Sequence, residues 1–369
     1  MTRRAIVSVA YPFAAVGPAA VGGAEQVVSM IDSALVAEGF HSVLIAAAGS
    51  ECAGELVAVP AAATERATER ETRGRVALLT DDLRRAVHTQ LPAIIEKVAM
   101  QYRADVIHMH GVDFAAYLPG GSIPVLCTLH LPLTFYPRHA LAPTRDRTFV
   151  HGVSVTQMQG LPATDRSLPP IANGVCLDWY TPALGPRRRY VLSIGRICPE
   201  KGFHLAMDAA RRARAPMLLA GMVFRYEEHE RYFREAIVPR LSRGARFVGP
   251  VARNRKRSLL RRARALLIPS QVPETSSLVA MEAMACGTPV IAFRAGALVD
   301  IIEHGRTGWL VDDVDGMARA IREVGAIDPR ACRQAAERRF SASTMTARYI
   351  DVYRRLAPSP RSKQAPCSP

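Results

Sequence analysis

Two carboxylates, Glu274 and Glu282, stand in an E-x7-E spacing in the stretch 273–282, which runs on into Ala283-Met284-Ala285-Cys286-Gly287. An apolar run ends just before it at Pro269-Ser270. A strand, a turn-forming loop carrying Glu274 and a helix stopped by Gly287 are therefore expected. Ser276, Ser277 and Leu278, with Val279 behind them, would open that helix, where backbone N–H groups lack intrahelical partners and favour anions. Ionised carboxylates accept several hydrogen bonds each, so Glu274 suits sugar hydroxyls and Glu282 a ribose diol. Taken alone, the same pair also describes a helix cap and a solvated helix residue.

A second group of residues could hold phosphate. Arg196 and Lys201 flank Pro199-Glu200 after another apolar run, at a strand-to-helix turn, and two fixed cations there could neutralise a departing diphosphate without a metal. Gly22-Gly23 precedes a helical pattern, and residues that small allow a diphosphate or an acceptor to approach the backbone. His130 ends an apolar run and could hydrogen-bond a sugar, although a lone histidine there is more often a satisfied structural group. His108, His110 and Asp113 end another run and are candidates for the acceptor side. Neither a G-x-G-x-x-G fingerprint nor a G-x4-G-K-[ST] loop occurs.

The combination resembles the retaining GT-B glycosyltransferases, specifically glycosyltransferase family 4 (glycosyl transferases group 1). The stretch around Glu274 and Glu282 is similar to that family's E-x7-E signature. Gly195-Arg196 followed by Lys201-Gly202 is similar to its G-R-x4-K-G phosphate clamp. Phe247-Val248-Gly249 resembles the strand whose backbone meets the nucleotide base, and His304-Gly305-Arg306-Thr307-Gly308 the late H-G-x-x-G stretch. Gly22-Gly23-Ala24-Glu25, Thr128-Leu129-His130 and Asn173-Gly174-Val175 resemble its Gly-Gly loop, T-x-H and N-G-V turn. Ser276-Ser277 departs from the usual Phe-Gly, which bears on donor preference, and Asp300 replaces a usual Glu.

The resemblance implies two Rossmann-like domains facing each other across a cleft, and a metal-independent transfer from a nucleotide-diphosphate sugar to an acceptor hydroxyl. It also implies retention of anomeric configuration by a front-face route, with Glu274, Arg196, Lys201 and His130 as the catalytic set. Gly22, Gly23, Asn173, Val248, Ser276, Ser277, Leu278, Val279 and Glu282 would bind donor, and no metal ligand or other cofactor is expected. A saccharide, a lipid-linked saccharide and a small molecule all fit as acceptor. A GT-B nucleotide-sugar epimerase and a catalytically silent sugar-nucleotide-binding partner subunit are the competing readings.

These residues need a scaffold, and the chain supplies an α/β one. Its 369 residues exceed one ordinary core. Apolar runs at 4–10, 41–47, 105–110, 123–129 and 149–155, with a helix at 24–38, make a first parallel-sheet half. A Pro-rich connection at 160–189 follows, ending in Arg187-Arg188-Arg189. A second series has strands at 190–195, 216–221, 245–248, 265–269, 288–293 and 308–311. The expected domains are 1–175, 176–342, a helix at 343–356 returning to the first domain, and a disordered tail at 357–369. An echo at 64–75 has no apolar period and reads as an exposed turn.

Net charge is +15, almost all from Arg, which favours an acidic partner without naming it. The basic stretch 253–264 carries apolar residues on one side and no aromatic residues for base stacking. It reads as the solvated face of a packed helix; peripheral contact with an anionic membrane stays open, and nucleic acid is disfavoured. The seven cysteines are scattered, with no C-x-x-C pair and no zinc-type spacing, so reduced thiols in the cytoplasm are expected. Pro12, Gly17, Pro18, Gly22 and Gly23 break the uncharged stretch after Arg3-Arg4, which therefore reads as strand plus loop, not signal peptide.

Overall fold

A computed structural model describes residues 3–59, 81–183 and 189–357. The stretch 64–75, Arg187-Arg188 and the tail from 358 onwards lie outside the described residues.

The first half forms a six-stranded sheet from β1 (Ala5–Val9), β2 (His41–Ala46), β3 (Glu55–Ala58), β4 (Val106–Met109), β5 (Val125–Leu129) and β6 (Thr148–Gly152), in the order β3-β2-β1-β4-β5-β6. The second forms another from β7 (Val191–Ile194), β8 (Met217–Ala220), β9 (Ala245–Phe247), β10 (Ala265–Ile268), β11 (Val290–Phe293) and β12 (Gly308–Val311), in the order β12-β11-β10-β7-β8-β9. Every pairing within both sheets is parallel. Sheets of this kind are covered on both faces, and their central strands read as unbroken apolar runs for that reason. Each sheet reverses its strand order once, between β1 and β4 and between β7 and β10. Ligands of such folds sit outside the carboxyl ends of the strands at that reversal. The chain is an α/β protein of two Rossmann-like domains.

The runs at 4–10, 41–47 and 265–269 became strands with ends trimmed by a residue. β3 was missed because it is a short edge strand whose residues are half-buried or exposed. The helix Asp81–Gln101 was also unnamed: it holds Pro92, and only Val87, Leu91, Ile95, Val98 and Ala99 of its 21 residues are buried. The connection at 160–189 is less free than its prolines suggest. Val150 N–H donates to the Arg166 carbonyl and Leu168 N–H to the Val150 carbonyl, stitching the segment 166–168 onto β6. The passage between domains lies further on. Val175 N–H donates to Phe340 O at 2.8 Å and Ala342 N–H to Val175 O at 2.9 Å, so outgoing and returning chains pair at one crossover. The helix that follows, Ala342–Leu356, packs Met345, Tyr349, Ile350 and Tyr353 against Ile6, Val27, Ile31 and Leu35 of the first domain.

Candidate active site

Lys201 and Glu274 meet at the switch point of the second sheet. Lys201 ends the short turn Pro199–Lys201 after β7, and Glu274 lies in the loop after β10. Lys201 Nζ donates to Glu274 Oε1 at 2.6 Å, with side-chain exposures of 28% and 11%. Ser270 Oγ donates to the same oxygen. Glu274 Oε2 has no protein partner among the described residues, which leaves it to accept from a hydroxyl donor. The two loops are also strapped by backbone: Gln271 N–H donates to Glu200 O at 2.8 Å, and Gln271 Nε2 to Pro199 O at 2.9 Å.

Two glycines make this approach sterically possible. Gly202 has φ +61°, and a Cβ there would lie 2.3 Å from Pro269 O. Gly296 has φ +55°, and its Cβ would lie 2.3 Å from Glu274 O. Both positions combine the left-handed region with backbone contact, which excludes ordinary side chains. Ala297 N–H donates to Glu274 O at 2.6 Å and fixes the height of the loop.

The helix Leu278–Ala285 opens beside Glu274. Ser277 is its N-cap and makes no side-chain cap bond. The N–H groups from Ser276 to Val279 have no backbone acceptor among the described residues, and Ser276 Oγ is buried without a partner. Leu278 and Val279 are half-buried. This is an anion-ready helix start. Arg196, at the end of β7, is exposed. Burial, then Arg196, lowers the His229 pKa, while for Glu200 burial is outweighed by a hydrogen bond from Cys198 and, behind it, by Arg196, so that its pKa is lowered; no ion pair joins Arg196 to Glu274 among the described residues. Val248 follows β9, donates its N–H to Leu219 O at 2.9 Å and exposes its side chain.

The first domain meets this loop. Thr275 Oγ1 donates to the His130 carbonyl across the cleft at 2.8 Å. Gly22 caps, and Gly23 begins, the helix Gly23–Ala37. A Cβ on Gly23 would come 3.3 Å from Leu278, so the Gly-Gly loop faces the opening of the second domain's helix. His130 Nε2 lies 3.0 Å from His110 Nδ1, and desolvation followed by the field of His151 pushes its pKa down to about 3. It is a neutral imidazole, suited to accept or donate a hydrogen bond but not to carry charge. Asn173 is buried at the crossover, and its Oδ1 lacks a partner.

Several expectations need correction. Glu282 does not look into open groove: it is 1% exposed. Tyr180 Oη donates to Oε1 at 2.7 Å, and Lys256 Nζ lies 2.7 Å from Oε1 and 2.6 Å from Oε2. A ribose would have to displace one of these partners. Lys256 comes from the basic helix Arg253–Arg262, so that helix is more than a solvated face. Arg253 and Arg257 stack on Trp179, each 4.3 Å from the ring centroid. Sequence spacing cannot show that one lysine of a basic run turns inward to a carboxylate 26 residues later. His108 does not line the acceptor side either. It is wholly buried, with Nδ1 2.6 Å from Tyr353 Oη and Nε2 2.7 Å from Thr128 Oγ1, which in turn lies 2.7 Å from His151 Nε2. His110 is 3% exposed. Asp113 accepts from Tyr117 Oη at 2.8 Å and pairs with His88 Nε2 at 2.7 Å. Asp300, which stands in place of a usual Glu, accepts from Thr156 N–H and Oγ1 of the first domain, both at 2.9 Å.

Residues 188–326 match the model of the glycosyl transferases group 1, and residues 21–154 that of glycosyltransferase family 4. The chain belongs to this glycosyltransferase family. Family relatives include a glycogen synthase of Mycobacterium tuberculosis, 33% identical over 197 residues, covering 50% of this chain and 47% of the relative. A D-inositol 3-phosphate glycosyltransferase of Mycolicibacterium smegmatis is 30% identical over 263 residues, covering 63% of this chain and 60% of the relative. The chain thus spans about half to three-fifths of the length of these relatives. Similar folds include sucrose-phosphate synthase from Thermosynechococcus elongatus, with TM-score 0.74, 22% identity and coverage of 96% and 99% of the two chains. Anabaena HepE, solved in complex with UDP-glucose, has TM-score 0.69 at 18% identity, covering 96% of this chain and all of its own. These last likenesses establish the shared GT-B fold. None of the described helices is long and apolar enough to cross a membrane.

Proposed function

We propose that the chain transfers a sugar from a nucleotide-diphosphate donor to an acceptor hydroxyl, with retention and without a metal in the transfer step. The observation that carries this reading is the Lys201–Glu274 pair, 2.6 Å long, seated at the switch point beside a free helix start and opposite His130 and Gly23. The diphosphate would take Lys201 from Glu274 and draw in exposed Arg196. Glu274 Oε2, the N–H groups of 276–279 and Ser276 Oγ would hold the sugar. Negative charge would grow on the leaving phosphate as the anomeric bond breaks, and these cations and N–H dipoles would stabilise it there. The leaving phosphate oxygen would accept the acceptor's hydroxyl proton on the same face, so no second carboxylate is required.

Family relatives named for glycogen and inositol phosphate, and a neighbour holding UDP-glucose, support a nucleotide sugar as donor. Thermal denaturation against a panel of nucleotide sugars identifies the donor: saturation at about 100 times Kd raises stability by about 2.7 kcal/mol. Proton NMR of the product with that donor, magnesium and manganese withheld, should show the donor's anomeric configuration kept. Inverted product, or turnover only with added magnesium, overturns the reading. Epimerised donor without acceptor would favour the epimerase alternative, and binding without turnover or donor hydrolysis the silent partner.

A further inference from the structure

We infer that Cys198, Glu200 and His229 form a binding site for a thiophilic divalent cation of the zinc class, beside the proposed diphosphate clamp. One ligand atom from each residue (a sulfur, a carboxylate oxygen and a ring nitrogen) lies within 4.8 Å of the others. Sulfur, imidazole nitrogen and carboxylate oxygen are the donors zinc takes, and three protein ligands leave a fourth position for water.

The site is largely built into the fold. Cys198 is 1% exposed and His229 8%, while Glu200 is exposed at the rim. His229 Nδ1 is buried with no hydrogen-bond partner, an unmet polar atom that a cation nearby would give reason to keep. The rings of Phe224 and Tyr226 stand edge-on to the imidazole at 6.3 and 5.1 Å and hold its orientation.

On binding, the Cys198 S–H bond breaks, the proton passes to solvent, and a sulfur–metal bond forms with no change of oxidation state. Thiolate and carboxylate together offset the two positive charges. The ion would tie the turn Pro199–Lys201, which carries the clamp lysine, to the helix Glu227–Tyr232. It would also replace the hydrogen bond that Cys198 otherwise gives to the Glu200 carboxylate. It takes no part in the transfer step, and the site stands whether or not the transfer reading does.

Chelator-stripped full-length protein titrated with Co2+ tests this directly. One equivalent should bind and produce a near-ultraviolet thiolate-to-cobalt band, which Zn2+ then removes. C198S should abolish the band, and E200Q and H229Q should each weaken cobalt binding at least tenfold. Because Glu200 is exposed, E200Q keeps the protein folded and decides the matter if C198S does not fold. No thiolate band at one equivalent, a band unchanged in C198S, or unchanged affinity in E200Q overturns the site.

Discussion

At the scale of single residues, Lys201 is the side chain on which most rests. K201A should lower kcat/KM by at least ~10²-fold, the scale of one electrostatic contact to developing charge, with unchanged thermal stability as the control. Near-normal turnover would remove the clamp. Lys256 is a different kind of lysine, because its partner Glu282 is almost wholly buried. K256M should cost about 3 kcal/mol in urea unfolding by leaving a buried carboxylate uncompensated. Adding E282Q should restore part of that loss, since the unpaired charge is then gone. An additive double mutant would show that the pair contributes nothing jointly.

At the scale of elements, strands β4, β5 and β6 end in a buried histidine network that closes on the last helix. Burial holds His151 down to about pKa 4 and pushes His108 well below its ordinary value. Unfolded histidine titrates near 6.5, so the unfolded chain takes up protons first as pH falls. Stability present above pH ~6.5 is then lost towards pH ~4, by up to about 1.4 kcal/mol per pH unit for each such histidine. Urea midpoints at about pH 7.5, 6 and 5 measure the slope, and H151Q should flatten it by about one proton. Tyr353 is the tie between network and helix. Y353F should cost about 1 kcal/mol by deleting the bond to His108, and no loss at all would mean that this contact is energetically idle.

At the scale of the molecule, the polar contacts between the two domains among the described residues include Thr275 with His130, Thr156 with Asp300, and the crossover at Val175. Asp300 lies outside the proposed donor site but sets how the domains meet. D300A should enlarge the radius of gyration seen by solution scattering and raise the donor KM several-fold, with kcat less affected. Identical scattering profiles and kinetics would show that the other contacts hold the interface alone.

Much of this was written in one dimension. Buried parallel strands are continuous apolar runs, and helix starts and stops carry local signals, so the two α/β halves and the loops of Glu274, Arg196 and Lys201 were legible. What local pattern cannot encode is which side chains meet after distant segments pack. Lys256 turned inward to Glu282, Asp300 reached the other domain, and His108 was buried under Tyr353. Cys198 and Glu200 met His229 although the spacing suggests no metal site. In each case the outcome depends on helix rotation and sheet order, because a side chain's surroundings are supplied mainly by residues far away in the chain.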